Sequence, residues 1–278
     1  MTLGAKQTSA LLNGLLASLP SAELDHVQAC FVRVPLVRDQ MLAEHGQPVD
    51  HAFFIEHGVV SVISEAMDQE AGVQVAMIGR EGVVGDLSMV DMRHSVCGRV
   101  VVHIPGSALR IATGDLRRAC ERSPALQSAC ARFSQSLVTQ IMQTAACNAR
   151  RSLAERCARW LVMTHERVDG NEVRVTHEAL SDMLGMRRCG VTVAAAALQQ
   201  AGLIRTGRGR FVILDRAGLQ DVAQGGGAAL QAAVSRAGSN RMRPPQAMPT
   251  GHAALGHIPL AAASNAARHA WQEGGDQP

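Results

Sequence analysis

The stretch THEALSDMLGMRRCGVTVAAAALQQAGLIRTGRGRFVIL, residues 176–214, is the most informative part of the chain. Thr176 can cap a helix that has an acid in its first turn, and Gly185 ends that helix two turns later. A second helix is predicted from about Arg188 to Gln200. Its apolar residues recur at i, i+3, i+4 and i+7, as Val191, Ala194, Ala195 and Leu198. Two short helices joined by a glycine turn predict a helix-turn-helix.

The residues after the second helix predict a β-hairpin, or wing, with Gly207 and Gly209 at its tip. Five arginines lie in the whole stretch, and no acidic residue occurs between Asp182 and Asp215. The positive end of the helix dipole disfavours a cation at a helix N-terminus. Arg187 and Arg188 at the start of the second helix therefore indicate a polyanionic partner.

Double-stranded DNA is the partner that fits a helix-turn-helix, because the N-terminal part of the second helix enters the major groove. Arg188 can pair with guanine O6 and N7 there. Phosphate contacts are predicted for Arg187 and for the wing arginines, Arg205, Arg208 and Arg210. The alternative is a winged helix that contacts only proteins, but it leaves the cations at the helix start unexplained.

Charge is distributed unevenly along the 278 residues, a length that suggests two domains. Residues 1–149 carry 11 basic and 14 acidic groups, a net of −3, whereas residues 150–215 carry 11 and 7, a net of +4. A polyanion is therefore expected to meet the second domain.

Residues 31–112 predict a β domain, because short runs rich in Val, Ile and Phe alternate with glycine turns. Two short helices broken at Pro20 precede it. The fold class is therefore α+β, with a β-sandwich or roll at residues 8–114.

Residues 115–149 change to a helical period and predict a linker and one long helix, from about 125 to 149. Its apolar stripe comprises Leu126, Cys130, Phe133, Leu137 and Ile141. Two interpretations remain open. The stripe packs on the chain's own β domain, or it pairs with a second copy of the chain. The predicted dimer helix rests on the second interpretation.

The DNA-binding domain is predicted at residues 150–223. Residues 224–278 are rich in Gly, Ala, Pro and Gln and predict a disordered tail. No apolar run is long enough for a membrane span, so no membrane partner is expected. Seven scattered cysteines, an odd number, favour a reducing cytoplasm over a disulfide framework.

Four segments resemble the Crp/Fnr superfamily of bacterial transcription regulators. They are FFIEHGVVSVI (53–63), GREGVVGDLS (79–88), ARRSLAERCARWLVMTHERV (149–168) and VTHEALSDMLGMRRCGVTVAAAALQQAGLI (175–204). The resemblance covers roughly residues 10–223. It implies a cyclic-nucleotide-binding-like β-roll, a dimerisation helix, and a winged helix that binds palindromic DNA as a homodimer. RNA polymerase is a further candidate partner.

The resemblance also assigns roles to residues of the helix-turn-helix. Arg188, Cys189 and Thr192 occupy positions that face bases, with Val193 as a further candidate, whereas His177 and Arg187 lie near phosphates. Well-known members have a glutamate where this chain has Cys189, so the DNA half-site must differ. The Cys189 thiol is either a redox switch or a passive small residue.

The effector of the β domain is not identified by sequence. Nucleotide-binding members carry Gly-Glu-Leu and an Arg-Ser or Arg-Thr pair, whereas this chain reads GDLSMVDMRHSV at residues 85–96. The candidate pocket residues are Gly85, Asp86, Ser88, Arg93 and Ser95. The shorter Asp86 and the split pair argue against a cyclic nucleotide. The glycines of GREGVVG either cradle an anion or serve as turn residues.

Other sensor chemistries are disfavoured too. Only Cys30 and Cys97 precede residue 115, too few for a four-cysteine iron–sulfur cluster, and the histidine spacing predicts no metal site. No Gly-x-Ser-x-Gly, Walker or zinc signature occurs, so the chain is not expected to be an enzyme. The prediction is a homodimeric transcription regulator. The alternatives are a cyclic-nucleotide-responsive regulator and a module for protein contacts only.

Overall fold

The N-terminal domain is built on a six-stranded antiparallel sheet. The structure is a computed structural model, and it describes residues 11–65, 72–85 and 98–226. Two short helices come first, α1 (Gly14–Ala17) and α2 (Ser21–Gln28). The strands are β1 (Val32–Leu36), β2 (Met41–Ala43), β3 (His51–Ser64), β4 (Val73–Ile78), β5 (Val83–Val84) and β6 (Arg99–Ala112).

The sheet curls around two long strands, β3 and β6, which pair with each other in antiparallel register. The order is β1-β6-β3-β4, while β2 pairs with β6 and β5 pairs with β3. Register shifts between Ile55 and Val60 bend this pair, as β-bulges do. The inner face forms one apolar core that includes Phe31, Phe54 and Leu109, which confirms the predicted β-roll.

Two helices follow the roll, α3 (Thr113–Arg122) and α4 (Pro124–Arg150). Pro124 occupies the first turn of α4, where its missing N–H is no loss. The Ser123 hydroxyl caps the same end by accepting the Leu126 N–H at 3.0 Å. The 27 residues of α4 give a helix about 40 Å long.

The stripe predicted for the dimer helix packs largely inside the chain. Leu126, Cys130 and Phe133 are buried in the core of the roll, and Leu137 and Ile141 pack partly buried against it. This burial supports the interpretation that the stripe covers the chain's own β domain. A helical period shows that one face is covered, but it does not show by which surface.

The second domain holds α5 (Leu153–His165), β7 (Glu172–Val173), α6 (His177–Leu184), α7 (Arg188–Gln200), β8 (Ile204–Gly207), β9 (Arg210–Ile213) and α8 (Arg216–Ala223). Its small sheet has the order β7-β9-β8. A capping box formed by Ser152 and Glu155 fixes the start of α5. The Asp215 side chain caps α8 by accepting the Gly218 N–H.

Strand β4 of the roll packs against the second domain. Trp160 on α5 donates its Nε1–H to Gln74 Oε1 at 2.6 Å, and Met77 is part of the second domain's core. An ion pair between Arg167 and Glu81, at 2.8 Å, lies on the same side. No helix among the described residues is both long and apolar enough to cross a membrane.

Candidate nucleic-acid interface

Helices α6 and α7 form the predicted helix-turn-helix. The Thr176 hydroxyl accepts the Ala179 N–H at 3.1 Å and so caps α6. Gly185 ends α6 with φ +56°, a left-handed conformation that glycine adopts without a Cβ penalty. The tight turn at Gly185 therefore follows directly from the residue at this position.

Helix α7 buries one face and exposes the other. Val191, Ala194, Ala195 and Leu198 are buried, as predicted, together with Ala197. The exposed residues near its start are Arg187, Arg188, Cys189, Thr192 and Val193. All four predicted base-reading side chains thus lie on the solvent-exposed side of one helix.

The N-terminus of α7 lacks the usual capping interactions. Arg187 is the N-cap residue but makes no side-chain cap bond, and the first turn holds no acid. Neither Arg187 nor Arg188 makes an ion pair with another residue in the part of the chain that the structure describes. The helix dipole and two arginines therefore present uncompensated positive charge to solvent.

His177 connects the start of α6 to α7 and to the wing. Its Nδ1 lies 3.2 Å from Thr192 Oγ1, and its ring lies 5.3 Å from the Phe211 ring between centroids. The Thr192 hydroxyl donates to the Arg188 carbonyl at 3.2 Å. Because a hydroxyl has one proton, a Thr192 proton on this carbonyl leaves Nδ1 of His177 as the donor to Thr192.

The neutral form of His177 is favoured. Burial lowers the pKa of this imidazole, and the nearby Arg188 charge lowers it further. With the proton on Nδ1, the neutral ring has no donor left at Nε2 for a phosphate. The Thr192 hydroxyl is likewise used inside the protein, so its methyl group is what remains for a base.

The wing is a hairpin of β8 and β9 with Arg208 and Gly209 at its tip, and Gly209 has φ +69°. Arg205 and Arg208 are exposed and lack an acidic partner among the described residues. Arg210 differs, because its Nη1 donates to Glu172 Oε2 at 3.2 Å. Of the three wing arginines predicted to contact phosphates, Arg210 is thus the one whose charge is partly neutralised by an acid.

Gln199 is a structural residue that the sequence did not single out for this role. Its Oε1 accepts hydrogen bonds from the Thr206 backbone N–H at 2.8 Å and from the Thr206 hydroxyl at 2.7 Å. These bonds tie the end of α7 to β8 and hold the wing against the helix. An exposed glutamine near a helix end carries no sequence signal for such a bond.

The candidate effector segment is only partly seen. Gly85 packs against Ala52, whereas Asp86, Ser88, Arg93 and Ser95 lie outside the described residues. Upstream, the Gly79 N–H donates to Glu81 Oε1 at 3.1 Å and the Gly82 N–H donates to the Gly79 carbonyl at 3.0 Å. These two amides serve the turn itself, which favours the turn interpretation over an anion cradle.

Metal-ligating side chains are dispersed in what is described. No group of three or more His, Cys, Asp or Glu side chains converges in residues 11–65, 72–85 and 98–226.

Two family comparisons divide the chain where the structure does. Residues 33–123 match the family described as cyclic nucleotide-binding domain, and residues 155–222 match the Crp-like helix-turn-helix domain. The first match covers the roll, and the second covers α5 to α8. No curated protein matches the chain in sequence.

Solved structures share this fold over most of their length. FixK2 from Bradyrhizobium japonicum has a TM-score of 0.59 at 15% identity, over 69% of this chain and 96% of its own. A Crp/Fnr regulator from Eubacterium rectale has a TM-score of 0.57 at 16% identity, over 76% of this chain and 98% of its own. The c-di-GMP-responsive regulator CLP of Xanthomonas campestris has a TM-score of 0.56 at 16% identity, over 70% of this chain and 99% of its own.

Proposed function

The chain belongs to the Crp/Fnr superfamily of transcription regulators, and we propose that it binds a palindromic DNA site as a homodimer. Members of this superfamily are DNA-binding regulators and not enzymes. The observation that supports the proposal best is the start of α7, where two exposed arginines lack any acidic partner among the described residues. Two copies of α7 would enter major grooves one helical turn apart, about 34 Å.

The proposed contacts follow from the position of each side chain. Arg188, Cys189 and Val193 on the exposed side of α7 read bases, and Thr192 contributes its methyl group. Arg187, Arg205 and Arg208 hold phosphates. Arg210 contributes less because Glu172 shares its charge, and His177 contributes only when it is protonated.

The second copy of the chain is proposed to pair along a different face of α4 from the one the sequence suggested. Five exposed residues of small or apolar type and one glutamine recur at spacings of four, three, four, three and four: Ala131, Gln135, Val138, Met142, Ala145 and Ala149. This is the heptad spacing of a two-helix seam. Val138 is 53% exposed and Met142 is 68% exposed, which is unusual for such side chains.

A test of the dimer seam is Met142→Glu, measured by light scattering. We expect this change to shift the protein to monomers, because two carboxylates would meet in an apolar seam. Gln143→Glu adds the same charge one residue away, off the stripe, and should leave the dimer intact. A dimeric Met142→Glu protein would show that the seam lies elsewhere.

The roll is proposed to act without cyclic AMP. Phe133 of α4 packs directly on Gly82, and the Asn13 amide donates to the Ile55 and Gly82 carbonyls at 2.8 Å, so this end of the roll is closed by the chain itself. The second candidate is a cyclic-nucleotide-responsive regulator. The match of residues 33–123 to the cyclic nucleotide-binding domain favours it, as does the c-di-GMP response of CLP.

Thermal unfolding with cyclic AMP and with c-di-GMP separates these candidates. A ligand that binds only the folded state adds about 2.7 kcal/mol at a hundredfold excess over its dissociation constant. We expect no change in unfolding midpoint with cyclic AMP. A clear rise at micromolar nucleotide would establish the second candidate.

The proposed function itself is tested by selecting binding sites from random duplex DNA and titrating the best site with salt. The expected site has two inverted half-sites, and log K should fall linearly with log salt concentration. A protein for protein contacts only would enrich no sequence. We place this activity in the cytoplasm, where bacterial DNA lies. RNA polymerase contact, the remaining candidate interaction, is tested by transcription from the selected site.

A further inference from the structure

A cavity lies where strand β4, the C-terminal half of α4 and helix α5 meet. Its volume is about 40 Å³, enough for a few water molecules or one small ion. The α4 side of its wall is polar and comprises Gln140, Thr144, Cys147 and Asn148. None of the lining residues belongs to segment 79–85 or to α7, so the cavity is separate from both sites described above.

Two arginines of α5, Arg156 and Arg159, line this cavity. Nε of Arg156 and Nη2 of Arg159 are buried atoms without a hydrogen-bond partner in the described part of the chain. Another nitrogen of Arg156, Nη2, donates to the Leu184 carbonyl, which fixes the direction of that side chain. Each of the two guanidinium groups therefore has a buried hydrogen-bond donor that no described residue satisfies.

The charge of these two groups is not balanced within the cavity. No Asp or Glu is found among the described residues that line it. Burial lowers the pKa of Arg156, as expected where a charge is desolvated without an acidic neighbour. An unpaired buried charge is costly, whereas a paired and hydrogen-bonded one is tolerated.

The missing partner has a definite chemistry. Guanidinium groups bind phosphates and carboxylates with two parallel N–H···O bonds, and amide and hydroxyl side chains can complete the shell around such an anion. We propose that this cavity binds a small oxyanion, a phosphate or carboxylate group that is either free or carried at the end of a larger metabolite.

The position of the cavity gives the anion a structural consequence. A bound oxyanion would contact α5 and α4 together and would lie against β4 of the roll. Through Arg156, it would also be linked to Leu184, the last residue of α6, next to the turn that leads to α7. The site thus joins the roll, the long helix and the helix-turn-helix at one point. Its existence does not depend on DNA binding.

Thermal unfolding of the full chain tests the proposal, with potassium phosphate compared against potassium chloride at equal ionic strength. We expect phosphate to raise the midpoint by about 5–10 °C at a hundredfold excess over its dissociation constant. Arg159→Gln should remove this response. Arg132→Gln, which changes an exposed arginine on α4 outside the cavity, should keep it.

Two further anions identify the source of the oxyanion. Glycerol phosphate should give a larger shift than inorganic phosphate if the natural ligand is a phosphorylated metabolite, and an equal or smaller one if it is free phosphate. Acetate should give a larger shift of the unfolding midpoint than inorganic phosphate if the natural ligand carries a carboxylate. If Arg159→Gln does not fold, Arg156→Lys takes its place, since it keeps the charge but loses the planar fork. The same midpoint shift in wild type and variant, or no shift with any anion, would overturn the proposal.

Discussion

Arg188 and Arg208 carry the same charge in different settings, and the difference decides what each can do. Arg188 begins α7 and is exposed, as are Thr192 and Val193 further along the same helix. Arg208 is at the tip of the wing, between the ends of β8 and β9. We therefore propose that the first reads a base edge and that the second holds a phosphate.

Substitutions of these two arginines should therefore weaken DNA binding in two different ways. Arg188→Ala should cost about 1–3 kcal/mol on the best site and relax the preference at one symmetric pair of positions. Arg208→Ala should weaken specific and random DNA about equally and lower the salt slope by about one unit for each phosphate that is no longer neutralised. Fluorescence anisotropy against both DNAs measures this. An equal loss of affinity on all sequences for Arg188→Ala would make Arg188 a phosphate-binding residue.

At the scale of elements, the packing of α4 on the roll depends on a residue without a side chain. Phe133 of α4 lies directly over Gly82, and a methyl group added at Gly82 would overlap its ring. This close approach explains why a glycine stands between β4 and β5. It also shows how α4 can bury Phe133 against this turn.

A double-mutant cycle tests this packing. Gly82→Ala should lower the free energy of unfolding by about 1–3 kcal/mol, because the added methyl overpacks the core. The same change in a Phe133→Ala background should cost less, because the ring is gone. Gly114→Ala, in the first turn of α3 with only the Arg118 side chain nearby, is the matched control. Urea unfolding that gave additive costs would contradict direct packing of Phe133 on Gly82.

At the scale of the whole molecule, the two domains meet around Trp160. Its ring lies edge-on to His103 of β6, 5.9 Å away between centroids, and its Nε1–H bonds to Gln74 of β4. Nε2 of His103 is buried and has no hydrogen-bond partner in the described residues. Burial lowers the pKa of His103 to about 4, with the charge of Arg38 lowering it and that of Asp39 raising it.

This histidine makes stability depend on pH. Its folded pKa lies below the unfolded value of about 6.5, so the unfolded chain binds the proton first as pH falls. The free energy of unfolding should be highest above pH 6.5 and fall by up to about 3 kcal/mol towards pH 4. His103→Gln should flatten this part of the curve, whereas His45→Gln, at an exposed site, should not. Urea unfolding at pH 7.5, 5.5 and 4.5 is the measurement, and an unchanged slope in His103→Gln would exclude this role.

The sequence by itself determined the helix-turn-helix and the wing. Thr176 and Gly185 set the two ends of α6 through local capping and a left-handed turn, which depend on the nearest few residues. The apolar spacing of α7 then fixed which of its sides is buried, and so which arginines are exposed. The roll was predictable as a class of structure for the same reason, because strand and turn propensities are local.

Only the tertiary structure decided what covers each surface. The stripe from Leu126 to Ile141 has the same period whether it meets the roll or a second chain, and the structure assigns it to the roll. The sequence pattern makes Arg210 equivalent to Arg208, but the fold brings Glu172, 38 residues earlier, beside Arg210. The buried guanidinium nitrogens of Arg156 and Arg159 likewise result from the packing of β4 and α4 against α5. These facts depend on interactions between residues far apart in the chain, which local propensity and periodicity do not encode.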